Sequence, residues 1–374
     1  MNVPKIRFPK YNYEWNYEPL NKYVERIVRK NKNKESDLVL TISAQYGLVD
    51  QCTFFNRNVS SSNLDGYYLL YKGDFAYNKS YSNGYPWGAV KRLNLYDKGV
   101  VSSLYICFNT NNLINSDYLQ HYFETNKWYS QISSISVEGA RNHGLLNIAV
   151  NDFFNTEHFF PKIDEQKDIA KFLNLLDKKI ELQSKKIEDL KLFKKGLSNK
   201  IFSTLDAVKE EKLGNICNIT TGKLDANAMV ENGQYRFYTC ARDYYYIDKY
   251  AFDTEALLIS GNGAYVGYIH YYKGKFNAYQ RTYVLDQFTE NIQYIKVYLD
   301  EFLSKRINSE KKEGNTPYIV LSTLSDMMIK LTNPKDEKKV INTFNNIKNK
   351  IDKEELKLNR LIELKKGLMQ NMFV

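Results

Sequence analysis

Catalysis and metal binding draw on a short list of side chains, and this chain offers few of them in working arrangements. Its four cysteines, Cys52, Cys107, Cys217 and Cys240, are far apart and form no CxxC pair, so neither a zinc site nor a disulfide framework is indicated. They read as small buried thiols in a reducing compartment. Only four histidines are present, with no HExxH and no clustered His/Cys ligand set. No GxxxxGK(S/T) loop is available to cradle a nucleotide phosphate, and no nucleophile elbow appears. Gly261, Gly263 and Gly267 superficially suggest a nucleotide loop, but strand-like residues continue on both sides and no helix opens after them. Close backbone approach or a bulge is the better reading. No catalytic or metal-binding constellation is recognisable among these residues.

Composition sets the frame for that binding. A chain of 374 residues with 43% hydrophobic and 26% charged content can form two or three globular domains with real cores. No stretch approaches the roughly 18 uninterrupted apolar residues of a membrane span, and MNVPKIRFPKYNYEW lacks the apolar centre of a signal peptide, which leads us to expect a cytoplasmic protein. The net charge of +10 divides as +3 over residues 1–160, +4 over 161–203, −1 over 204–333 and +4 over 334–374. Most of the excess thus sits on two segments that read as helices. A polyanion would have to be met elsewhere by locally clustered Lys and Arg.

Those two segments are copies of one another. LKLFKKGLSNKIF ends at Phe202 and LIELKKGLMQNMF at Phe373, and Gly196 and Gly367 set an offset of 171 residues. A heptad pattern places Ile169, Leu173, Leu176, Ile180, Gln183, Ile187, Leu190, Lys194, Leu197 and Ile201 on one stripe. The second copy fills the same slots with Val340, Phe344, Ile347, Ile351, Glu354, Leu358, Leu361, Lys365, Leu368 and Met372. Sustained spacing of this kind predicts a coiled-coil seam. Its polar slots coincide in the two copies and either fix register or let their heads reach water past the seam. Pro161 with Asp164 and Glu165, and Asn333-Pro334 with Asp336 and Glu337, mark the helix starts. Each helix should run about 50 Å at roughly 1.5 Å per residue and needs the other as a partner. Antiparallel pairing would put the flanking domains at opposite ends of a rod, related by an approximate two-fold axis. Gly196 and Gly367, inside the helices, either admit another helix closely or are tolerated defects.

Outside the helices the chain turns Tyr-rich and β-branched, with Gly and Asn turns. DLVLTIS, DFAYNKSYSNGYPWGAVKRL, GVVSSLYICF, ALLISGNGAYVGYIHYY and GKFNAYQRTYVL read as strands joined by tight turns, and SDYLQHYFETNKWYSQI and NIQYIKVYLDEFLSKRI as helices. The fold class expected is α+β: two globular domains separated by two long helices that form an antiparallel, pseudo-two-fold coiled coil. The boundaries are 1–160 for the first domain, 161–203 for the first helix, 204–333 for the second domain and 334–374 for the second helix. EPLNKYVERI parallels EKLGNICNI near the domain starts, and Glu138-Gly139 parallels Glu313-Gly314 near their ends.

PKIDEQKDIAKFLNLLDKKIELQSKKIEDLKLFKKGL from Pro161 and PKDEKKVINTFNNIKNKIDKEELKLNRLIELKKGL from Pro334 carry a resemblance to the specificity subunits of type I restriction–modification systems. GYPWGAVKRL, KGVVSSLY, GNGAYVGYI and GKFNA add to it, so that it covers essentially the whole chain. The second helix departs from the pattern at Glu337, where Gln would stand, and at Lys348, where Asp would stand. The resemblance implies a non-catalytic chain with two target-recognition domains, each reading half of a bipartite double-stranded DNA site. The helix pair would serve as a ruler for the unread spacer. It also implies two docked methyltransferase subunits, which hold S-adenosylmethionine, and restriction subunits that bring ATP and Mg where they are present. No Asn-Pro-Pro-aromatic tetrapeptide of an adenine methyltransferase occurs in this chain.

Base reading needs side chains that reach base edges, whereas phosphate contacts only position the protein. Polar, aromatic and basic residues in the expected loops are the candidates. In the first domain these are Lys79, Tyr81, Asn83, Lys91, Arg92, Arg141, Asn142 and His143. In the second they are Arg236, Tyr238, Arg242, Tyr244, Tyr245, Arg281, Lys311, Lys312 and Asn315. Tyr244, Tyr245 and Tyr246 could stack on a flipped base, or at least one of them could be core, because alternate strand residues face inward. Two other function classes stay open at this point. One is a coiled-coil scaffold whose globular ends bind proteins; the other is a self-contained enzyme with an unrecognised site.

Overall fold

A computed structural model describes residues 2–55, 63–82, 84–136, 146–310 and 318–374. The chain divides into two compact units, one of residues 1–184 with 356–374 and the other of residues 185–355. Each unit therefore holds a globular region plus one half of each long helix. The helices span Ile163–Thr204 and Pro334–Met372, 42 and 39 residues, or about 60 Å each at 1.5 Å per residue. They are longer than the heptad stripe alone required.

The heptad slots explain the helices' packing. All twenty are buried or half-buried, while Leu175, Leu182, Leu192, Phe193, Leu356, Ile362 and Leu364, off the stripe, are exposed. In the first unit Asp177 meets Lys365 at 2.5 Å, and Ile169 and Leu173, up to two turns earlier, share a core with Met369 and Met372. Within the second unit Lys186 pairs with Glu354 at 2.5 Å and Phe202 lies 5.8 Å from Phe344. Residue numbers rise along one helix as they fall along the other, so the helix segments in each unit run antiparallel. The polar slots are used: Lys365 bonds Asp177, Glu354 accepts from Lys186, and Lys194 pairs with Glu301 beneath the Phe344 ring.

The 171-residue offset extends into the globular regions. A short helix at Val150–Phe154 and a strand at Glu157–Phe160 precede the first long helix; Leu321–Ser325 and Met328–Leu331 precede the second. Each strand pairs antiparallel with an early one, Asn16–Pro19 or Lys209–Lys212. The next residue donates its amide to the same place in both, Leu20 to Thr156 O and Leu213 to Met327 O, both at 2.9 Å. The Gln slot of the family pattern shows what that residue does. Gln166, 1% exposed, accepts from the amide of Asn115, which caps helix Ser116–Phe123 through its own side chain. Glu337 in the other copy bonds the side chain of Asn291, just before helix Ile292–Glu310. Burial pushes the Glu337 carboxyl above its usual range, with Glu290 adding to the shift and the Asn291 bond opposing it.

In the first unit four strands, ordered Val24–Arg26, Ile106–Thr110, Phe75–Asn78 and Ala89–Arg92, make the main sheet. Stacked Phe75 and Phe108, with Tyr77, Trp128 and Phe153, fill the space between this sheet and the helices. The helix expected over SDYLQHYFETNKWYSQI is interrupted: it stops at Phe123 and a second helix starts at Tyr129. Between them Trp128 turns inward and donates its indole N–H to Phe123 O at 3.2 Å. In the second unit six strands are ordered Asn218–Thr221, Thr282–Asp286, Phe252–Ser260, Ile269–Ala278, Tyr235–Tyr238 and Tyr245–Ile247. All neighbours are antiparallel except Tyr235–Tyr238 with Ile269–Ala278, which is parallel. Strand alternation gives the sheet two apolar faces. Leu257, Ile259 and Leu285 pack with helix Ile292–Glu310, and Ala256, Leu258, Val284, Phe276 and Tyr238 form a second cluster. Among the described residues no helix is long and apolar enough to cross a membrane.

Candidate nucleic-acid interface

The loops of the second unit converge on one rim. Gly261 donates its amide to Arg281 O at 2.9 Å and its carbonyl accepts from Ile319 at 2.7 Å. A Cβ on Gly261 would sit 2.3 Å from Arg281 O, so only glycine lets these strand ends meet. Gly263 and Gly267 turn the chain with φ of +80° and +81°. The glycines thus shape this rim. From the other side Cys240 Sγ lies 3.3 Å from Arg281 O; Cys240 is half-buried and Cys52 exposed, so only Cys107 and Cys217 are the buried thiols expected. His270 Nε2 sits 3.0 Å from Ala241 O; since a carbonyl only accepts, the ring nitrogen carries the proton. Burial holds the His270 pKa below its ordinary value, with the Ala241 bond opposing, so the ring is neutral.

Three arginines of the second unit are candidates read from the sequence, and each lies beside tyrosine side chains. Arg242 is exposed, its guanidinium 5.4 Å from the Tyr265 ring centre. Arg281 is exposed beside Asn262, Gln280, Tyr283 and Tyr318 in a shallow cleft. Arg236 is half-buried, 4.2 Å from the Tyr244 ring and 4.5 Å from the Tyr272 ring. Among the described residues no carboxylate lies within ion-pair distance of these three. Tyr244 is half-buried, and Tyr245 and Tyr246 are 41% and 44% exposed. Tyr238 is 1% exposed and packs on His270, Phe276 and Tyr272, so it is core and cannot face a ligand directly.

The first unit treats its candidates differently. Lys91 is buried and bonds Glu124 at 2.6 Å. Arg92 bonds Asn94, Ser116 and Asp117 at 2.7–2.9 Å. Both are taken up inside the domain, which corrects their reading as surface contacts. Lys79 donates to Ile148 O at 3.2 Å, and Tyr81 is 61% exposed. Asn83, Arg141, Asn142, His143, Lys311, Lys312 and Asn315 lie outside the described residues, as do the Glu138-Gly139 and Glu313-Gly314 pairs.

Other rim residues escaped the sequence reading. Asn262 and Tyr265 sit within the glycine cluster, whose local signal is only that of strands and tight turns; Gln280 adjoins Arg281. Arg242, Tyr265, Tyr268 and Lys348 line one cleft with Asp300, which is itself paired with Lys296 at 2.6 Å. Lys348 is the departure from the family pattern, and it adds a cation where the first copy has the acid that binds Lys365. The only signal for it was that mismatch.

Two α+β units, each built on antiparallel halves of long helices, constitute the fold of type I specificity subunits. The chain is similar over 100% of its length to the S subunit of a type I restriction–modification system from M. genitalium, at 18% identity and a TM-score of 0.61, covering 99% of that chain. A chain from a structure of type I system assembly and conformational transition matches over 97% of this one and 99% of itself, at 14% identity and a TM-score of 0.58. Residues 206–364 match the family described as type I restriction modification DNA specificity domain. That stretch carries the family's DNA specificity domain, and over the rest of the chain the likeness to these structures is one of fold. The Escherichia coli type I restriction enzyme EcoDI specificity subunit is 33% identical over 162 residues, 43% of this chain; the matched stretch covers 36% of that relative.

Proposed function

We propose that the chain is the non-catalytic DNA-specificity subunit of a type I restriction–modification complex. It reads a bipartite double-stranded site, one globular domain to each half, with the helix pair setting the unread gap. The observation that carries this reading is the repetition, at one constant offset, of short helix, strand and long-helix start. A bipartite reader needs two positioned readers, and a duplicated unit supplies them. Support for DNA as the ligand comes from the arginines and tyrosines of the second unit, the arginines having no carboxylate within ion-pair distance among the described residues. Tyrosine faces can pack on bases and guanidiniums can meet phosphates or base edges.

Two methyltransferase subunits dock on the helices, carrying S-adenosylmethionine, and ATP- and Mg-dependent restriction subunits join where the system includes them. Gly196 and Gly367 support this part. Both are exposed, and nothing lies within 4 Å of a Cβ built at either. Among the described residues no packing requires these glycines, each of which costs its helix about 1 kcal/mol relative to alanine. Exposed Leu192, Phe193 and Leu364 beside them offer apolar contact. The complex works in the cytoplasm, where the DNA is.

Sequencing of N6-methyladenine in host DNA with and without the gene tests the proposal. Loss of one methylated motif of two parts separated by a constant gap is expected. An unchanged set of methylated motifs, in a host where the methyltransferase is expressed, would overturn it in favour of a scaffold whose ends bind proteins.

A further inference from the structure

The geometry points to Arg236 as the side chain with which the second domain reads a guanine, an inference that rests on the DNA-reading function proposed above. Arg236 differs from the other two rim arginines in where its backbone lies. It sits on strand Tyr235–Tyr238, paired on one side with Tyr246 and on the other with Phe276, so both flanks of its main chain are held by the sheet. Arg242 and Arg281 lie outside the strands.

Its guanidinium is also held. The rings of Tyr244 and Tyr272 approach it at 4.2 and 4.5 Å, and Nη1 donates to the hydroxyl of buried Tyr238 at 3.4 Å. The ring contacts and that bond restrict the torsions of a side chain that is otherwise among the most mobile. Tyr244 and Tyr272 are themselves packed against the second apolar cluster of the sheet, so the contacts are anchored in the domain's core. What this arrangement does not supply is an anion. Arg92, also half-buried, rests on Asp117, and buried Lys91 on Glu124. Arg236 keeps its charge, reinforced by the Tyr238 bond, with no carboxylate within ion-pair distance among the described residues.

A planar, pre-oriented fork of N–H donors suits two acceptors in one plane. On DNA that pair is O6 and N7 of guanine in the major groove. A phosphate offers acceptors too, but without sequence dependence. The two sources are separated by substitution chemistry: a glutamine at this place matches N6 and N7 of adenine, while a lysine retains charge without the fork.

The test assembles the full chain with its methyltransferase partner and reads the methylated motif for the unaltered protein, Arg236→Gln, Arg236→Lys and Tyr244→Ala. At one base pair of one half-site, Arg236→Gln should move the preference from G·C toward A·T. Arg236→Lys and Tyr244→Ala should lower discrimination at that same pair by roughly tenfold to a hundredfold. The other half-site and the gap should be unchanged. Thermal melting of each variant checks folding, and Tyr244→Ala, which keeps the arginine, remains informative if Arg236→Gln does not fold. An unaltered motif in all variants, or a uniform loss of binding across sequences as for a phosphate contact, would overturn the assignment. Absence of any two-part motif with the unaltered protein would instead overturn the underlying function.

Discussion

Arg7 and Glu165 show how a residue at the start of the chain fixes the base of a helix that begins at Ile163. Arg7 donates from Nε and Nη2 to both carboxylate oxygens, at 2.7 and 2.8 Å, and the Glu165 side chain is fully buried. Removing the arginine strands a buried charge, which costs about 3–5 kcal/mol where no water can reach it. Arg7→Ala should therefore lower the denaturation midpoint strongly and Glu165→Gln less, as urea titration would report; equal effects would contradict a buried pair. His158 makes a second residue-scale prediction. Its imidazole bonds Tyr122 and Thr156 at 2.8 Å, and burial pushes its pKa down to about 3. The unfolded chain takes up a proton near pH 6.5 while the folded one does not, so stability falls as pH drops from about 6.5 toward 3. The slope is at most about 1.4 kcal/mol per pH unit for one such group. His158→Gln should flatten that acid limb in pH-dependent melting. Neither role is visible in the sequence, because Arg7 and Glu165 lie far apart along it and His158 alternates along an ordinary strand.

The elements divide sharply in how much of them could be read in advance. The long helices were legible because heptad spacing is a local, periodic property, and every slot assigned from it is at least half-buried. The sheet rim was not, because the sequence does not say which charges find internal partners. Lys91 and Arg242 look alike as residues, yet one meets Glu124 across 33 positions and the other meets no acid among the described residues. Tyr238 and Tyr245 likewise differ by strand parity and neighbours that folding alone supplies. The exposed helix glycines yield a prediction at this scale. Gly196→Ala and Gly367→Ala should each raise the stability of the isolated chain, by up to about 1 kcal/mol, since the added methyl meets nothing. If a methyltransferase helix approaches there, the same variants should weaken assembly, as sedimentation of the mixed subunits would show. Higher stability with unaltered assembly would make these glycines simple defects.

At the scale of the whole molecule, one plan of globular region, capped strand and long helix is used twice. Gln166 and Glu337, 171 residues apart, are both buried where a long helix meets its globular region. The function proposed above would give such a protein a composite specificity, with each half selected separately and the unread gap set by helices that need not touch bases. That claim is tested most directly by selecting bound sequences from a randomised DNA library with the chain and its methyltransferase partner. The selection is then repeated with a variant carrying Leu176→Asp and Leu361→Asp, which puts charge into the seam. The account predicts two short motifs at one constant gap for the unaltered protein and loss of the constant gap in the variant. A single uninterrupted motif, or a gap that survives disruption of the seam, would contradict it.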